Sequence, residues 1–479
     1  MKKKNNVKRY ICIKALERLN DRLINSAPDF IYEKEVFYFL LDMLYRLPTY
    51  NKNIELKNGG YYSISCEYFK KYIGDRKYKK YIDYLLDIDL LMCDESYDIE
   101  EHISKGYKLN PAFESKLTTV IIPPIAKVWK SITQNFNSKN HKKTPDYIKR
   151  MKVCFKSLEF DIDGANAYIT DLFEKGEISI NQFNIYLLSI SSLNDKQQLY
   201  FKRNTTNNRI DTNLTNLKKE LRNFLKGDFS LIDLANSQPY LFNYIIKSYL
   251  EGISSSDTNT INKPLQPFIE KLFKQFKNPP KLNLKEVEKY NRLTKEGTIY
   301  DLFIDKFKIE RSEAKKLFLA TMYSPNHSKR FREEKKVFKA EFPSIYSFIC
   351  KLKKKEYNKL AIALQELEAE IFIDNIARRI IEAGIGVYTI HDSVLVKRQN
   401  CDQAMNLMKD VFLEYFGEIP TFKTEDLSPL NLKPKRICEI HNLEGVEFID
   451  GELFLTESEQ QVYKLFSEIS YYKHLELCS

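Results

Sequence analysis

The chain contains little glycine, proline or tryptophan, with 14 Gly, 16 Pro and 1 Trp in 479 residues. Disordered chains are poor in apolar and aromatic side chains, whereas here hydrophobic residues make up 43% and aromatic residues 13% of the sequence. The composition therefore excludes a largely disordered protein. It predicts an ordered, mostly helical globular protein that can bury a large core.

Cysteine is scattered along the chain. The eight cysteines form no CxxC pair and no cluster with histidine at the spacing of a zinc site. The sequence therefore predicts neither a zinc site nor a disulfide framework.

Long apolar runs are also missing, because no stretch approaches the roughly 20 apolar residues of a membrane-spanning helix. The basic start MKKKNNVKRYICIK leads straight into the charged pattern ALERLNDRL, without the apolar core and cleavage site of a signal peptide. We expect a protein of the reducing cytoplasm.

Positive charge is in excess, since 76 Lys and Arg face 65 Asp and Glu and the formal net charge is +11. Such a surface attracts polyanions, although a lysine-rich coding bias would give the same balance. A chain of this length has room for roughly two to four domains. The polar stretches at 135–145 and 252–263 are predicted loops or linkers.

The region from about residue 32 to 110 follows the order of a winged helix-turn-helix: a helix, a turn-containing β-like run, two helices and a pair of strands. The second of the two adjacent helices carries four cations near its N-terminus, where a recognition helix meets a DNA groove: Arg76, Lys77, Lys79 and Lys80. Its apolar residues can pack inward: Tyr81, Ile82 and Leu85. An amphipathic helix with a solvated basic face would show the same pattern.

The stretch GVYTIHDSVLVKR, residues 386–398, predicts a β-hairpin. Two β-prone runs flank the tight group formed by His391, Asp392 and Ser393, which places a carboxylate at the tip. Turns also favour aspartate for local hydrogen bonding, so Asp392 needs a partner to indicate chemistry.

Asp233 is that partner. The run from Asp228 to Ile232 predicts a short strand that ends at Asp233 and leads through a turn into a helix. Two carboxylates on adjacent strands can hold two divalent cations roughly 3.5 to 4 Å apart, and Mg²⁺ suits this task because it keeps positions open for phosphate oxygens. Acids at strand ends also serve as ordinary helix caps.

A helix beginning at about Arg311 lies between the two acids in the chain. Arg311, Lys315, Leu319 and Tyr323 follow each other at four-residue steps and so share one slowly drifting face. Two cations followed by an aromatic ring suit a triphosphate and a base. An exposed basic helix with Tyr323 in the core would have the same period.

In this order the motifs resemble the palm and fingers of family A DNA polymerases and of the related single-subunit phage-type RNA polymerases. Asp233 with Ser237-Gln238 resembles the first catalytic motif of the family, the R-x3-K-x7-Y helix resembles its nucleotide-binding helix, and His391-Asp392 resembles its second catalytic motif. Two more stretches agree: Arg209-x3-Asn213-Leu214-x-Asn216 resembles the primer-template stretch, and Gln365 with Glu368 resembles the template-side glutamine motif. The resemblance covers about residues 200–430.

The resemblance implies a role for each matched residue. Asp233 and Asp392 would bind two Mg²⁺ ions, and Arg311 and Lys315 would hold the incoming triphosphate. The remaining residues implied at the site are Tyr323 by the templating position, Arg209 and Gln365 in the duplex minor groove, Asn216 in the primer-template stretch, and His391 near the primer end.

The chain also departs from the family pattern. Leu234-Ala235-Asn236 form an apparent two-residue insertion after Asp233, and a register beginning at Asp228 is the competing match. With Ser237-Gln238 matched, Tyr240 takes the place of the sugar-proximal glutamate and is predicted to exclude a 2′-hydroxyl. Three further substitutions stand at family positions: Leu319, Ser324 and Ser393. Leu319 and Ser393 favour an RNA polymerase slightly.

The resulting hypothesis is an α+β, predominantly helical protein with a right-hand polymerase palm. The predicted regions are a winged-helix-like domain at 1–125, a helical connector or thumb-like region at 126–205, palm and fingers at 206–430 and a tail at 431–479. The expected activity is template-directed DNA polymerisation for a phage, plasmid or defence element, using primed DNA and nucleoside triphosphates. No proofreading exonuclease is expected, because the first 200 residues lack strand-borne Asp-x-Glu acids. The alternatives are a DNA-binding replication protein with an inactive polymerase-like half and a single-subunit RNA polymerase.

Overall fold

The fold is described from a computed structural model of the chain. The structure describes residues 6–50, 56–57, 60–94, 104–136, 144–194, 199–254, 273, 280–329, 331–432, 448–449 and 452–453. The predicted loops at 135–145 and 252–263 and the predicted tail at 431–479 lie largely outside the described residues.

The N-terminal part combines five helices with two small antiparallel sheets. The helices are α1 (Ile13–Asn25), α2 (Lys34–Tyr50), α3 (Cys66–Ile73), α4 (Tyr78–Asp87) and α5 (Lys127–Phe136). The strands are β1 (Val7–Cys12), β2 (Leu56–Lys57), β3 (Tyr61–Ser63), β4 (Leu91–Asp94), β5 (Gly106–Leu109) and β6 (Leu117–Ile122). Strand β1 pairs with β6, and the other four strands form a sheet in the order β2-β3-β5-β4.

Helices α3 and α4 and the β4–β5 ribbon occur where the sequence predicts them. The Ser65 side chain caps α3 by accepting a hydrogen bond from the Glu67 backbone N–H, and Gly74 ends the helix at a φ of 108°. The inward packing predicted for α4 is confirmed, since its three apolar residues are buried: Tyr81, Ile82 and Leu85. Its four cations are exposed, and two of them, Arg76 and Lys77, precede the first helical residue.

Strand β1 differs from the expectation for the first thirty residues, which the sequence pattern presents as basic and then helical. The alternation of the strand places Arg9 inside, with 6% of its surface exposed. There its guanidinium lies 3.3 Å from the carboxylate of Asp42 on α2. A buried ion pair between distant residues cannot be read from local periodicity.

The middle of the chain is helical, with α6 (Asp146–Lys156), α7 (Ile162–Glu174) and α8 (Ile180–Asn194). A two-stranded ribbon follows, formed by β7 (Phe201–Arg203) and β8 (Ile210–Thr212), and it leads into the short helix α9 (Asn213–Asn216). Helix α8 contributes to two apolar cores. Ile185 and Leu188 pack with the N-terminal part, whereas Ile190 and Leu193 pack with α7 and the following segment.

The C-terminal half surrounds a four-stranded antiparallel sheet in the order β10-β11-β9-β12. Its strands are β9 (Phe229–Leu234), β10 (Tyr388–Ile390), β11 (Ser393–Lys397) and β12 (Phe422–Leu427). The helices are α10 (Ser237–Ser254), α11 (Leu284–Glu296), α12 (Asp301–Phe307), α13 (Arg311–Tyr323), α14 (Arg332–Glu341), α15 (Pro343–Leu352), α16 (Lys359–Ala369), α17 (Arg378–Glu382) and α18 (Cys401–Phe416). A separate strand pair, β13 (Phe448–Ile449) and β14 (Glu452–Leu453), lies beyond this region in the chain.

Helices α16 and α17 are joined by a π-helical segment, Glu370–Ala377, so that one long helical rod runs from residue 359 to 382. Wider turns of this kind are frequent at functional sites. The rod is packed inside the largest apolar core together with α10, α13 and α15. In the described part of the chain, no helix is long and apolar enough to cross a membrane.

Candidate active site

Asp233 and Asp392 come together at one end of the central sheet. Strand β9 lies between β11 and β12, and Asp233 pairs across the ladder with Ser393. Asp392 is the residue before Ser393 and occupies the turn of the β10–β11 hairpin, and its carbonyl accepts a 3.4 Å hydrogen bond from the Leu234 backbone N–H. The predicted strand and hairpin therefore bring the two acids side by side.

Asp228, the competing match for the first acid, lies at the other end of β9. It is exposed, and its carbonyl accepts a 2.9 Å hydrogen bond from the Arg398 backbone N–H, where β11 has already ended. Asp228 is therefore separated from Asp392 by the whole length of the strand. The geometry favours the register that uses Asp233.

The two carboxylates share a site that is short of positive charge. Burial and, secondarily, the neighbouring Asp392 raise the pKa of Asp233 to about 6, against the partial offset from Lys315. Burial also raises the pKa of Asp392, while Lys315 and Arg209 act in the opposite direction. Since both pKa values stay raised, the local cations do not neutralise the pair.

A divalent cation fits this charge deficit, because carboxylate oxygens are preferred Mg²⁺ ligands. Among the described residues, however, no group of three or more His, Cys, Asp or Glu side chains is placed to hold a metal ion. An ion at Asp233 and Asp392 would therefore take its remaining ligands from water or from a bound phosphate.

Helix α13 begins at Arg311 and ends at Tyr323, as predicted. Lys315 is exposed on this helix, and its positive charge lowers the pKa of both aspartates. Arg311, unlike Lys315, is fixed by several contacts with other described residues. Its Nη2 donates to the Gly297 carbonyl at 2.6 Å, its Nη1 lies 3.2 Å from the Asp301 carboxylate, and its guanidinium stacks over the Tyr300 ring.

The insertion after Asp233 forms a tight turn. Asn236 has a φ of 52°, in the left-handed region that asparagine tolerates better than most residues. Its Oδ1 accepts a 3.3 Å hydrogen bond from Arg311 Nη2, so the inserted segment contacts the start of α13. Gly297, at the end of α11, packs closely against this turn, because a Cβ at Gly297 would lie 3.4 Å from the Ala235 Cβ.

A chain of partly buried polar side chains, with the buried Glu368 among them, runs from Tyr323 to Arg209. The Tyr323 hydroxyl donates to Gln238 Oε1 at 2.9 Å, and Gln238 Nε2 donates to Glu368 Oε2. The other oxygen of Glu368, Oε1, lies 2.6 Å from Arg209 Nη2. Burial raises the pKa of Glu368 to about 7, although Arg209 lowers it.

The β7–β8 ribbon lies along the rod formed by α16 and the π segment. Asn207 Nδ2 donates to Gln365 Oε1 at 3.0 Å. Arg203 forms a bidentate ion pair with Asp374, which also accepts a hydrogen bond from the Tyr147 hydroxyl. These contacts and the Arg209–Glu368 pair hold the ribbon beside the aspartates.

Of two other predicted residues, His391 is adjacent to Asp392 in the chain, whereas Asn216 is not bonded to the aspartate pair within the described part of the chain. His391 precedes Asp392 in the hairpin turn and has a φ of 56°, a conformation that costs free energy in residues other than glycine. Asn216 ends α9 and donates to the Tyr200 hydroxyl. Among the described residues, no hydrogen bond or ion pair joins Asn216 to the aspartates.

Tyr240 does not lie in the site. Its side chain has 0% exposure, and its ring packs against Phe412 and Phe416 of α18. The prediction that it excludes a 2′-hydroxyl counted positions from Ser237, but helix α10 turns this residue into the core. Gln238, two residues earlier, is the partly exposed residue that contacts Tyr323.

Glu368, Asp374 and Arg203 carry structural roles that sequence reasoning did not assign. A weak signal was present for the two acids, because Glu368 lies between Leu367 and Ala369 and Asp374 follows the apolar run Ile371-Phe372-Ile373, all of which are buried. Buried acids need partners. Nothing in the sequence indicated that the partners would be Arg209 and Arg203.

The architecture is that of a mostly helical α+β protein with small antiparallel sheets, one of which carries the aspartate pair. No family model and no curated protein matches the sequence. Among solved structures, the chain is similar to the polymerase domain of Pol1 from M. smegmatis, in complex with DNA primer-template and dNTP, with 12% identity and a TM-score of 0.27. The match covers 54% of each chain, so this protein spans about half the length of that domain.

Proposed function

We propose that the protein is a template-directed DNA polymerase. The observation that carries this proposal is the position of Asp233 and Asp392 side by side at one end of the β9–β11 ladder, where the charge of Lys315 on α13 lowers the pKa of both. Two partly buried carboxylates with a nearby cation suit the transfer of a nucleotide, in which negative charge develops on phosphate oxygens.

Mg²⁺ would be held by Asp233 and Asp392, where it would supply the activation of a primer 3′-hydroxyl and the neutralisation of the leaving pyrophosphate. Lys315 would contact the triphosphate, and Arg311, which is bound to the Gly297 carbonyl, would fix the start of α13 beside it. Tyr323 would lie at the templating position, at the C-terminal end of this helix. Arg209, whose charge lowers the pKa of Asp392 and which pairs with Glu368, would contact the primer-template duplex.

The N-terminal part is proposed to be a winged-helix-like module that binds duplex DNA. Helix α4 presents its cations to solvent while its apolar face is buried, which suits insertion into a groove. The pairing of β4 with β5 supplies the ribbon that accompanies such a helix.

The test is extension of a primed DNA template by purified protein with Mg²⁺, in parallel reactions with dNTPs and NTPs. We expect dNTP incorporation that falls by at least about a thousandfold in Asp392→Asn, because removing a metal-binding carboxylate removes several kcal/mol of transition-state stabilisation. Asp228→Asn is the matched control, since that acid lies at the far end of the same strand. Absence of extension with both nucleotide sets, or equal activity in the Asp392 variant, would contradict the proposal.

A DNA-binding replication protein without nucleotide transfer is the second candidate, and the exposed cations of α4 favour it. It predicts duplex binding with a steep salt dependence and no incorporation in either reaction. Preference for NTPs over dNTPs in the same assay would instead identify an RNA polymerase.

A further inference from the structure

We propose that Glu368 is a positioning residue that couples the primer-template binding site to the C-terminal end of α13, the proposed nucleotide-binding helix. This inference rests on the proposed function. It follows from the position of the side chain between Arg209 on the ribbon side and Gln238 on the α10 side, with one carboxylate oxygen directed to each.

The chemistry of the carboxylate fixes the direction of the whole chain. Above its pKa of about 7 the Glu368 carboxylate is ionised and only accepts hydrogen bonds, so at pH 8 Gln238 must present its Nε2 to Glu368 and its Oε1 to Tyr323. The Tyr323 hydroxyl is then the donor, as the 2.9 Å contact to Gln238 Oε1 requires. Glu368 thus determines the orientation of the Gln238 amide. Through that amide it also determines that the Tyr323 hydroxyl, at the end of α13, is a donor.

The Glu368 side chain is held in place by the core around it. Its side chain has 1% exposure and lies on α16 among residues of the largest core, including Leu364 and Leu367, which are fully buried. A buried charge without its partners is costly, so the carboxylate keeps Arg209 and Gln238 together. A duplex that positions Arg209 therefore also stabilises the orientation of Tyr323.

An exchange of the two side chains gives a sharp test. In Glu368→Gln the new amide has one oxygen for the two donors, Arg209 and Gln238. If Gln238 turns its amide to accept from the new Nε2, its own Nε2 faces Tyr323, whose hydroxyl then loses its acceptor. In Gln238→Glu two carboxylates face each other near Asp392. In the double variant Gln238→Glu/Glu368→Gln every donor again meets an acceptor, because Glu at 238 accepts from Tyr323 and from the new amide, whose oxygen accepts from Arg209.

The measurement is steady-state dNTP incorporation on a saturating primed template. We expect the KM for the nucleotide to rise about tenfold in each single variant, the effect of one unsatisfied buried polar group, and to return to within about threefold of wild type in the double variant. Asp374→Asn is the matched control. It loosens the same ribbon through Arg203 without touching Gln238, so it should weaken template binding and leave the nucleotide KM unchanged.

A second measurement separates this inference from the proposed function. Hydrogen exchange of residues 319–323 is followed before and after adding primed DNA without nucleotide. Protection that appears in wild type, disappears in Glu368→Gln and returns in the double variant supports the coupling, even if no incorporation is detected. Incorporation with an unchanged KM in both single variants, or DNA-independent exchange in wild type, would overturn it.

Discussion

Asp233 and Asp392 lie in surroundings that favour their protonated forms, whereas most carboxyl groups at the end of a sheet are solvated and ionised. Each lies in a partly buried turn or strand end, and the charge of Asp392 raises the cost of ionising Asp233. Acids whose pKa values are raised by burial and by a like charge are candidates for a functional site, and their ionisation costs folding stability. This cost in unfolding free energy can be measured.

In metal-free protein, the stability contributed by Asp233 should fall as the pH rises. Its folded pKa of about 6 lies above the ordinary value of 3.8, so the folded state binds the proton more tightly than the unfolded state. The advantage is present below pH 4 and is lost as the pH rises to 6 and above. Relative to Asp233→Asn, wild type should lose on the order of 2 to 3 kcal/mol of unfolding free energy between pH 4 and pH 7.

Urea unfolding in EDTA at several pH values checks this expectation. Asp228→Asn should show no comparable pH-dependent difference from wild type, because Asp228 is exposed. Added Mg²⁺ should recover part of the loss at pH 7 if the pair binds it. Parallel pH profiles for wild type and Asp233→Asn would contradict the predicted burial of charge.

His391 offers a second measurement at the scale of one residue. Its φ of 56° is unfavourable for a side chain with a Cβ, and glycine adopts this conformation freely. His391→Gly should therefore leave the unfolding free energy within about 1 kcal/mol of wild type or raise it. Nucleotide incorporation should nevertheless fall, because the imidazole beside Asp392 is removed.

Thermal unfolding and primer extension of the same preparation separate the two effects for His391→Gly. Loss of more than about 2 kcal/mol of stability would show that the imidazole supports the turn itself. Full activity with retained stability would show that the histidine has no part in the reaction.

At the scale of elements, local patterns predicted the pieces that periodicity and turn chemistry determine. Helix α13 has the predicted start at Arg311, and the hairpin around Asp392 is formed as expected. Tyr240 was matched by counting from Ser237, but both residues lie on helix α10, which directs the Tyr240 side chain into the core. Each residue of a helix is rotated by about 100° from the one before it, so a motif match does not determine which side chain faces the site.

The β7–β8 ribbon was not predicted as a ribbon, and neither was its attachment to the long helical rod. Its strands have three residues each and contain lysine, arginine and aspartate, which gives little β signal. Its position depends on ion pairs such as Arg203 with Asp374, 171 residues apart in the chain. Contacts of this range come from packing, which local sequence does not specify.

Helix α4 allows a test of the DNA-binding proposal. Replacing Lys79 and Lys80 by glutamate should weaken duplex binding and reduce the slope of log affinity against log salt by about 1 for each phosphate that is no longer neutralised. Lys152→Glu combined with Lys149→Glu on α6 gives the same change in net charge at other exposed positions. Equal binding by both double variants would mean that overall charge, and not α4, attracts DNA.

At the scale of the whole molecule, the predicted boundary near residue 125 does not coincide with the edge of the N-terminal core. That core also contains Val128 and Ile132 of α5 and Ile185 and Leu188 of α8. The predicted boundary followed the winged-helix-like pattern of the first 125 residues, whereas the apolar contacts continue into α5 and α8. The sequence predicted the existence of an N-terminal unit but not which helices complete it.

A fragment ending at residue 125 should therefore fail to fold cooperatively. It would lack these four side chains, each of which contributes roughly 1.5 to 3 kcal/mol when buried, and their sum is comparable with the whole stability of a small domain. A fragment ending at residue 194 should show a cooperative thermal transition by circular dichroism. A sharp transition in the shorter fragment would show that α5 and α8 are dispensable.

The sharing of α8 between two cores also bears on where synthesis would begin. A helix that is fixed on both sides acts as a rigid spacer. If α4 binds a duplex as proposed, that duplex would keep a constant distance and direction relative to the aspartate pair, and synthesis would begin a fixed number of base pairs from the segment that α4 holds. Inserting residues between Asn194 and α9 would leave this spacing unchanged. Weakening the packing of Ile185 and Leu188 would instead make the position of the first added nucleotide variable.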